Sequence, residues 1–279
     1  MKFTSRWALK LDTIKEWGIE MRYPSINKES RSSLRNALQL LNLFTMDEPE
    51  LSLSEIADQL RVGISTAHRL TYTLMVEGFL TKDSQTKKFR LGASTLGMGN
   101  TIITQNQLCR ISIPVLEKLA INTGESAHIA ILRDYQAIYL IRMDSKHPVH
   151  LLSHAGKQNP IHCTSSGQVI LAFQSETMIE QVIACGLQQY TANTITTADK
   201  FKQLLLKIQS QGYSISEEEL HEGVSSIAVP VKDISGHVIA SISIAGPISR
   251  INQDTLPRLV KIVKQAAGKV SEQLIFTKR

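Results

Sequence analysis

Residues 52–92 restrict the possible folds of this 279-residue chain more than any other segment. Ser52 and Glu55 fit a capping box at the start of a helix, because Ser52 can accept from an early backbone amide while Glu55 reaches back. Arg61-Val62-Gly63 then makes a turn, and a second helix is predicted from about Ile64 to Glu77. A hairpin follows, with strands predicted at Phe79–Thr81 and Phe89–Leu91. Helix, turn, helix and hairpin in this order predict a winged helix-turn-helix.

The charges of this segment are unevenly distributed. Between Arg61 and Arg90, six basic residues stand against two acidic ones. The stretch upstream carries the acids Asp47, Glu48, Glu50, Glu55 and Asp58. One basic end is typical of a domain that binds a polyanion, although a solvated mixed surface would look similar.

The second helix has the size to enter the major groove of DNA, which is about 12 Å wide, while the first helix rests on the backbone. Hydroxyl groups at the start of the helix suit phosphates, Arg69 suits guanine, and basic residues of the wing suit phosphates or the minor groove. The candidate DNA-binding residues are Ser65, Thr66, His68, Arg69, Tyr72, Thr73, Lys87, Lys88 and Arg90. An ordinary polar helix surface, or a winged helix that contacts protein, remains the alternative.

The chain is predicted to divide into four parts. They are an N-terminal extension (1–30), the winged helix-turn-helix (31–92), a linker helix (93–107) and a larger C-terminal domain (108–279). A further helix, capped by Ser32 and Ser33, opens the second part. Its apolar stripe, expected to face inward, comprises Leu34, Leu38, Leu41 and Phe44.

The C-terminal domain shows three strand patterns, three helices, three more strands and a final helix. Strands are predicted at 126–132, 136–143, 149–154, 213–217, 225–231 and 237–245. This order favours an antiparallel sheet covered mainly by helices, so that the whole chain belongs to the α+β class.

Composition excludes several classes of protein. No segment offers the roughly 18 apolar residues of a membrane span, and the first thirty residues lack the apolar core of a secretory signal. We therefore expect a cytoplasmic protein that does not bind membranes. The cysteines Cys109, Cys163 and Cys185 contain no CxxC pair, so neither a disulfide framework nor a zinc knuckle is expected.

With these patterns in place, the chain resembles the IclR family of bacterial transcriptional regulators from about Ser32 to Ile275. The resemblance rests on Ser65–Leu70 and Glu77–Leu80 in the first domain, and on Gly156, Pro160–His162, Thr164, Gly167, Leu171-Ala172, Glu218-Glu219, Glu222–Val231 and Ile242–Pro247 in the second. It implies a GAF-like C-terminal domain that binds a small molecule, and assembly as a dimer or a dimer of dimers. The chain departs from the family pattern at Arg61, where Gly is usual, at Ile64, where a polar residue is common, at Cys163, where Ala is usual, and at Gln168, where Lys is usual.

The resemblance also implies where the small molecule binds. Carried over by motif, the effector-binding residues are Cys163, Ser165, Ser166, Ser216, Val224 and Ser226. Free amides and two hydroxyl groups at the start of the helix after Thr164 would stabilise a carboxylate. The simpler interpretation is that Ser165 or Ser166 only caps that helix.

Other polar clusters are weaker candidates for chemistry. His147, His150, His154 and His162, with Cys163, could bind zinc, but their spacing matches no metal-ligand pattern, and no metal or cofactor is expected. Glu217-Glu218-Glu219 is interpreted as a solvated charge run. Ser166 and His162 lack the G-x-S-x-G frame of a nucleophile elbow.

We therefore expect a ligand-responsive transcriptional regulator that binds a palindromic operator on double-stranded DNA and a small organic acid. Two alternatives stay open. The C-terminal domain could be an enzyme that acts on a small carboxylate, with the winged helix as a tether, or the winged helix could serve a protein–protein adaptor.

Overall fold

A computed structural model describes residues 32–45, 48–145 and 155–276 of the chain. The chain separates into two compact units, with the division after Asn100. Within the described ranges, no helix combines the length and apolar character needed to cross a bilayer.

The first unit confirms the winged helix-turn-helix. Its elements are α1 (Ser33–Leu41), α2 (Leu53–Leu60), α3 (Ile64–Val76), β1 (Leu80–Lys82), β2 (Phe89–Leu91) and the start of α4 (Ala93–Gln105). The capping box at the start of α2 forms as predicted, because Ser52 Oγ accepts from the Glu55 amide and a Glu55 carboxylate oxygen accepts from the Ser52 amide. Antiparallel pairing of β1 with β2 builds the wing.

The core of this unit lies between the three helices and the wing. Leu40, Ile56, Ala67 and Phe89 are among its buried side chains. The predicted inward stripe of α1 is wrong in part, since Leu34 is 70% exposed and Leu38 is 55% exposed. In so short a helix, the angle at which α1 packs against its neighbours decides which residues reach the core. The 3.6-residue period does not specify that angle.

The turn between α2 and α3 contains a strained residue. Arg61 ends α2 in the left-handed conformation, with φ of 55° and ψ of 47°. For a residue with a Cβ atom, this conformation costs roughly 1–2 kcal/mol. Arg61 thus adopts a positive φ at a position where the family usually has glycine.

Arg61→Gly is expected to stabilise the first unit. Relief of the left-handed strain exceeds the extra entropy that glycine gives the unfolded chain, so the free energy of unfolding should rise by about 0.5–1 kcal/mol. Urea denaturation measures this as a higher midpoint at unchanged slope. Arg61→Ala keeps the Cβ atom and serves as the control. An equal gain in both variants would mean that removal of the charged side chain, and not the backbone, sets the stability.

The second unit contains a six-stranded antiparallel sheet in the order β5-β4-β3-β8-β7-β6. Its strands are β3 (Ser126–Arg133), β4 (Gln136–Met143), β5 (Gln158–Pro160), β6 (Ser214–Glu217), β7 (Val224–Lys232) and β8 (Val238–Pro247). Its helices are α5 (Gln107–Thr123), α6 (Ser165–Leu171), α7 (Glu176–Ala184), α8 (Ala198–Gln211) and α9 (Leu256–Phe276). The α+β assignment is confirmed. The strand predicted at 149–154 lies outside the described residues, and β5 was not predicted.

Alternation along the strands gives the sheet two different faces. On one face, Ile242 and Ile244 of β8 and Ile227 of β7 pack in a core with α5 and α9. The intervening residues Ser241 and Ser243 are also buried, and they belong to the opposite face, against which α6 packs. The apolar face therefore holds the domain together, while the second face carries polar side chains into the interior.

Candidate nucleic-acid interface and ligand pocket

The outer side of α3 presents the predicted DNA-binding side chains to solvent. Ala67, Leu70 and Leu74 fix the inner side of the helix in the core. The six candidates lie away from that core, with Thr66 half-buried and the others exposed: Ser65, Thr66, His68, Arg69, Tyr72 and Thr73. The structure thus brings all six to one accessible side of a single helix.

Apolar side chains are interleaved with this polar set. Ile64 is 55% exposed and Val76 is 66% exposed. Ile64, at the first position of α3, suits contact with a thymine methyl group in the major groove.

The wing is shaped by one aspartate. Asp83 Oδ1 accepts hydrogen bonds from the amides of Gln85 and Thr86, and these bonds hold the pKa of Asp83 below its usual value. Lys87 follows in the left-handed conformation, with φ of 59°, and its side chain is exposed. The turn therefore projects a lysine from the tip of the hairpin.

Arg90 differs from the other wing candidates. Its Nη2 lies 2.9 Å from Asp83 Oδ2 and 3.0 Å from Glu50 Oε1. Two carboxylates therefore offset its charge, and it is less suited to a phosphate than Lys87 or the half-buried Lys88. The sequence places these acids near the basic residues but does not show that they pair.

A pocket in the second unit opens on the polar face of the sheet beside α6. Five of the six predicted effector residues line it, namely Cys163, Ser165, Ser216, Val224 and Ser226. Its cavity volume is about 50 Å³. The free space of the pocket is therefore small in the described conformation.

Hydroxyl groups bridge α6 to the sheet. Ser165 Oγ donates to Ser226 Oγ at 2.7 Å, and Ser166 Oγ donates to Ser243 Oγ at 2.9 Å. Ser166 therefore lies behind the pocket wall, bound to a strand. The expectation that Ser165 or Ser166 could be the N-cap is wrong, because Thr164 Oγ1 accepts from the Gly167 amide in that role.

Several pocket residues escaped the sequence analysis. They are His128, Tyr139, Asn159, Thr164, Glu219, Leu220, His221, Ser243 and Ala245. The alternation of serine with isoleucine over residues 241–244 could have indicated a polar interior face. Pairing across the sheet places His128 opposite Ser243, just as it places the predicted Ser216 opposite Ser226.

Glu219 corrects the interpretation of residues 217–219 as a solvated run. Its side chain is buried and lines the pocket. Gln168 Nε2 donates to Glu219 Oε2 at 2.8 Å and also to the His162 carbonyl oxygen, while Gln168 Oε1 accepts from Ser214. Burial, aided by the charge of Glu217, raises the pKa of Glu219 to about 7.

The other ionisable groups of the pocket are uncharged near neutral pH. Burial lowers the pKa of His128 to about 3, with Arg142 adding to the effect. Burial and the charge of Glu219 raise the pKa of Cys163 to about 12. Burial also lowers the pKa values of His162 and His221.

Among the described residues, no group of three or more His, Cys, Asp or Glu side chains is placed to hold a metal ion. His147, His150 and His154 lie outside the described residues. His162 Nε2 donates to the Gln188 carbonyl oxygen at 2.9 Å.

Comparison with known proteins covers both units. Residues 100–272 match the model of the bacterial transcriptional regulator IclR C-terminal domain, and residues 33–84 match the IclR helix-turn-helix domain. The glycerol operon regulatory protein of Streptomyces griseus is 30% identical over 87% of this chain and 96% of its own. An IclR transcriptional regulator from Alicyclobacillus acidocaldarius has a crystal structure with TM-score 0.78 and 30% identity, over 87% of this chain and 98% of its own.

A further solved structure contains a ligand. An IclR homolog from Microbacterium hydrocarbonoxydans, complexed with 4-hydroxybenzoate, gives TM-score 0.78 at 24% identity, over 87% of this chain and 99% of its own. At that identity the likeness supports the fold.

Proposed function

The chain belongs to the IclR family of bacterial transcriptional regulators, and we propose that it is a ligand-responsive regulator whose α3 binds a palindromic operator under the control of a small organic acid. The observation that carries this proposal is the outer side of α3, where Arg69 and its neighbours are exposed beside a wing that projects Lys87. The protein would act on DNA in the cytoplasm.

Individual roles on the DNA follow from side-chain chemistry. Arg69 presents a planar fork that matches O6 and N7 of guanine, while Lys87 and Lys88 supply point charges for phosphates. His68, Tyr72 and Thr73 can reach base edges, and Ser65 and Thr66 lie at the start of α3, where free amides favour phosphate.

Exposed apolar residues support self-association. In α4, Leu96 is 75% exposed and Ile102 is 63% exposed, and no residue of this helix is buried. Leu34 and Leu38 of α1 are exposed as well. Apolar surfaces of this kind are typical of interaction sites. A homodimer, or a dimer of dimers, would cover them and match operator half-sites about one helical turn, or a multiple of it, apart.

The pocket supports binding in preference to catalysis. Ser165 and Ser166 each donate to another serine, and Cys163 is held as a thiol by its raised pKa. A nucleophile needs a base within hydrogen-bond reach, whereas these two serine hydroxyl groups donate to other hydroxyl groups. Hydroxyl groups can donate to a carboxylate, but with a cavity of about 50 Å³ the pocket must open to admit it. An acid that binds the open form more tightly would shift the equilibrium between conformations.

Two assays on the full-length chain test the proposal. In a mobility-shift assay with genomic fragments, we expect selective retention of fragments with palindromic sites. Failure to retain any fragment would favour the adaptor alternative. In a thermal-shift assay, at least one of acetate, butyrate, benzoate and 4-hydroxybenzoate should raise the midpoint, because a ligand that binds the native state stabilises it. Turnover of a bound acid would favour the enzyme alternative.

A further inference from the structure

The buried carboxyl group of the pocket disfavours the binding of an anionic organic acid. Among the described residues that line the pocket, Glu219 carries a carboxyl group, and lysine and arginine are absent. Glu219 is 7% exposed. An anionic ligand would therefore bring a second carboxylate beside a buried one, with no lysine or arginine among the described lining residues to balance them.

The immediate partners of Glu219 cannot supply that cation. Gln168 offers an amide, already shared between Glu219 Oε2 and the His162 carbonyl oxygen. Ser216 offers a hydroxyl. Because a buried pair of like charges is strongly unfavourable, two adjacent carboxyl groups usually share one proton.

We propose that this pocket binds the anion of an organic acid together with one proton, which Glu219 holds as a carboxylic acid. The inference rests on the proposed effector class. In the bound state, protonated Glu219 becomes a hydrogen-bond donor, and it can donate to the ligand carboxylate. The proton comes from solvent, and no covalent bond of the ligand changes.

Among the ionisable groups around Glu219, the proton of Glu219 itself is the main one expected to dissociate just above pH 7. Three of these groups are imidazoles, those of His128, His162 and His221. The thiol of Cys163 and the phenols of Tyr139 and Tyr190 form a second set. The remaining two are the carboxylate of Glu217 and the ammonium group of Lys157, which acts on His221. The imidazoles have lowered pKa values, and the thiol and phenols have raised ones, so neither set changes charge just above pH 7. The pKa of Glu219 is about 7 in the free pocket. The ligand's charge would raise it further.

Isothermal calorimetry on the full-length chain tests the proposal, with the tightest-binding of acetate, butyrate, benzoate and 4-hydroxybenzoate as the probe. Above pH 7 the association constant of the natural protein should fall about tenfold per pH unit, because binding takes up one proton. Glu219→Gln should bind the same anion with little dependence on pH. Glu222→Gln removes the same charge at an exposed position and should keep the natural slope.

If Glu219→Gln does not fold, counting the protons taken up by the natural protein tests the proposal instead. Titrations of the natural protein in buffers with different ionisation enthalpies should show uptake of about one proton per ligand above pH 7. An anion that binds with the same affinity across this range, without proton uptake, would overturn the proposal and leave the effector class intact. Operator binding with no affinity for any of the four acids would overturn both.

Discussion

Arg69→Ala is expected to weaken binding to the preferred operator about 5- to 150-fold, which corresponds to the roughly 1–3 kcal/mol of a bidentate contact with guanine. The guanidinium is exposed on the outer side of α3, so its removal leaves the packing of Ala67, Leu70 and Leu74 intact. Preference for guanine at one position of each half-site should relax at the same time. Fluorescence anisotropy with operator duplexes that differ at single base pairs measures both effects.

Lys87→Ala provides the matched control for Arg69→Ala. Lys87 lies at the tip of the wing and is proposed to contact phosphate, so its loss should weaken binding to all sequences alike. It should also reduce the slope of log affinity against log salt by about one unit. If Arg69→Ala behaved like Lys87→Ala, with unchanged sequence preference, the assignment of Arg69 to a base would be wrong.

Gly167→Ala is expected to destabilise the second unit by about 3 kcal/mol or more, because the added methyl group cannot be accommodated without backbone movement. A Cβ atom at Gly167 would fall inside contact distance of the Ile161 carbonyl oxygen and Cα. Movement of α6 away from Ile161 would also break the serine bridges from Ser165 and Ser166 to the sheet. Urea unfolding should therefore show a lower midpoint, and acid binding should be lost together with the stability.

Gly268→Ala separates this clash from the general effect of replacing glycine. Gly268 lies within α9, where a Cβ atom would meet no heavy atom within 4 Å. Alanine is favoured over glycine in a helix by about 1 kcal/mol, so this variant should be more stable than the natural protein. Equal stability of the two variants would contradict the close approach of α6 to Ile161.

Local chemistry explains why the helices and the wing could be predicted from the sequence. Ser52 and Glu55 specify a helix start through their own hydrogen bonds, and Asp83 specifies the wing turn in the same way. The face that each helix buries depends on its partners, which lie far away in sequence. Leu34 and Leu38 show the difference, because their spacing predicts an inward face and the structure exposes both. The predicted domain boundaries, with a linker helix at 93–107, stay a prediction.

The pocket was predicted less completely than the helix-turn-helix, because its residues are far apart in the sequence. The serines of the motif blocks were found by resemblance. The residues that complete the wall come from strands that meet only through sheet pairing, such as His128 opposite Ser243. Glu219 was misjudged because a run of acids usually lies in solvent, and its burial depends on Gln168, fifty-one positions away. The ligand and DNA roles of these side chains stay predictions.

Occupation of the C-terminal pocket is expected to change the affinity of α3 for operator DNA. Operator affinity of the full-length chain, measured by anisotropy with and without a saturating concentration of the bound acid, tests it most directly. A coupling of about 1–3 kcal/mol predicts a change of roughly 5- to 150-fold, and the operator should change the affinity for the acid by the same factor. Identical operator affinity with an empty and a saturated pocket would contradict the claim.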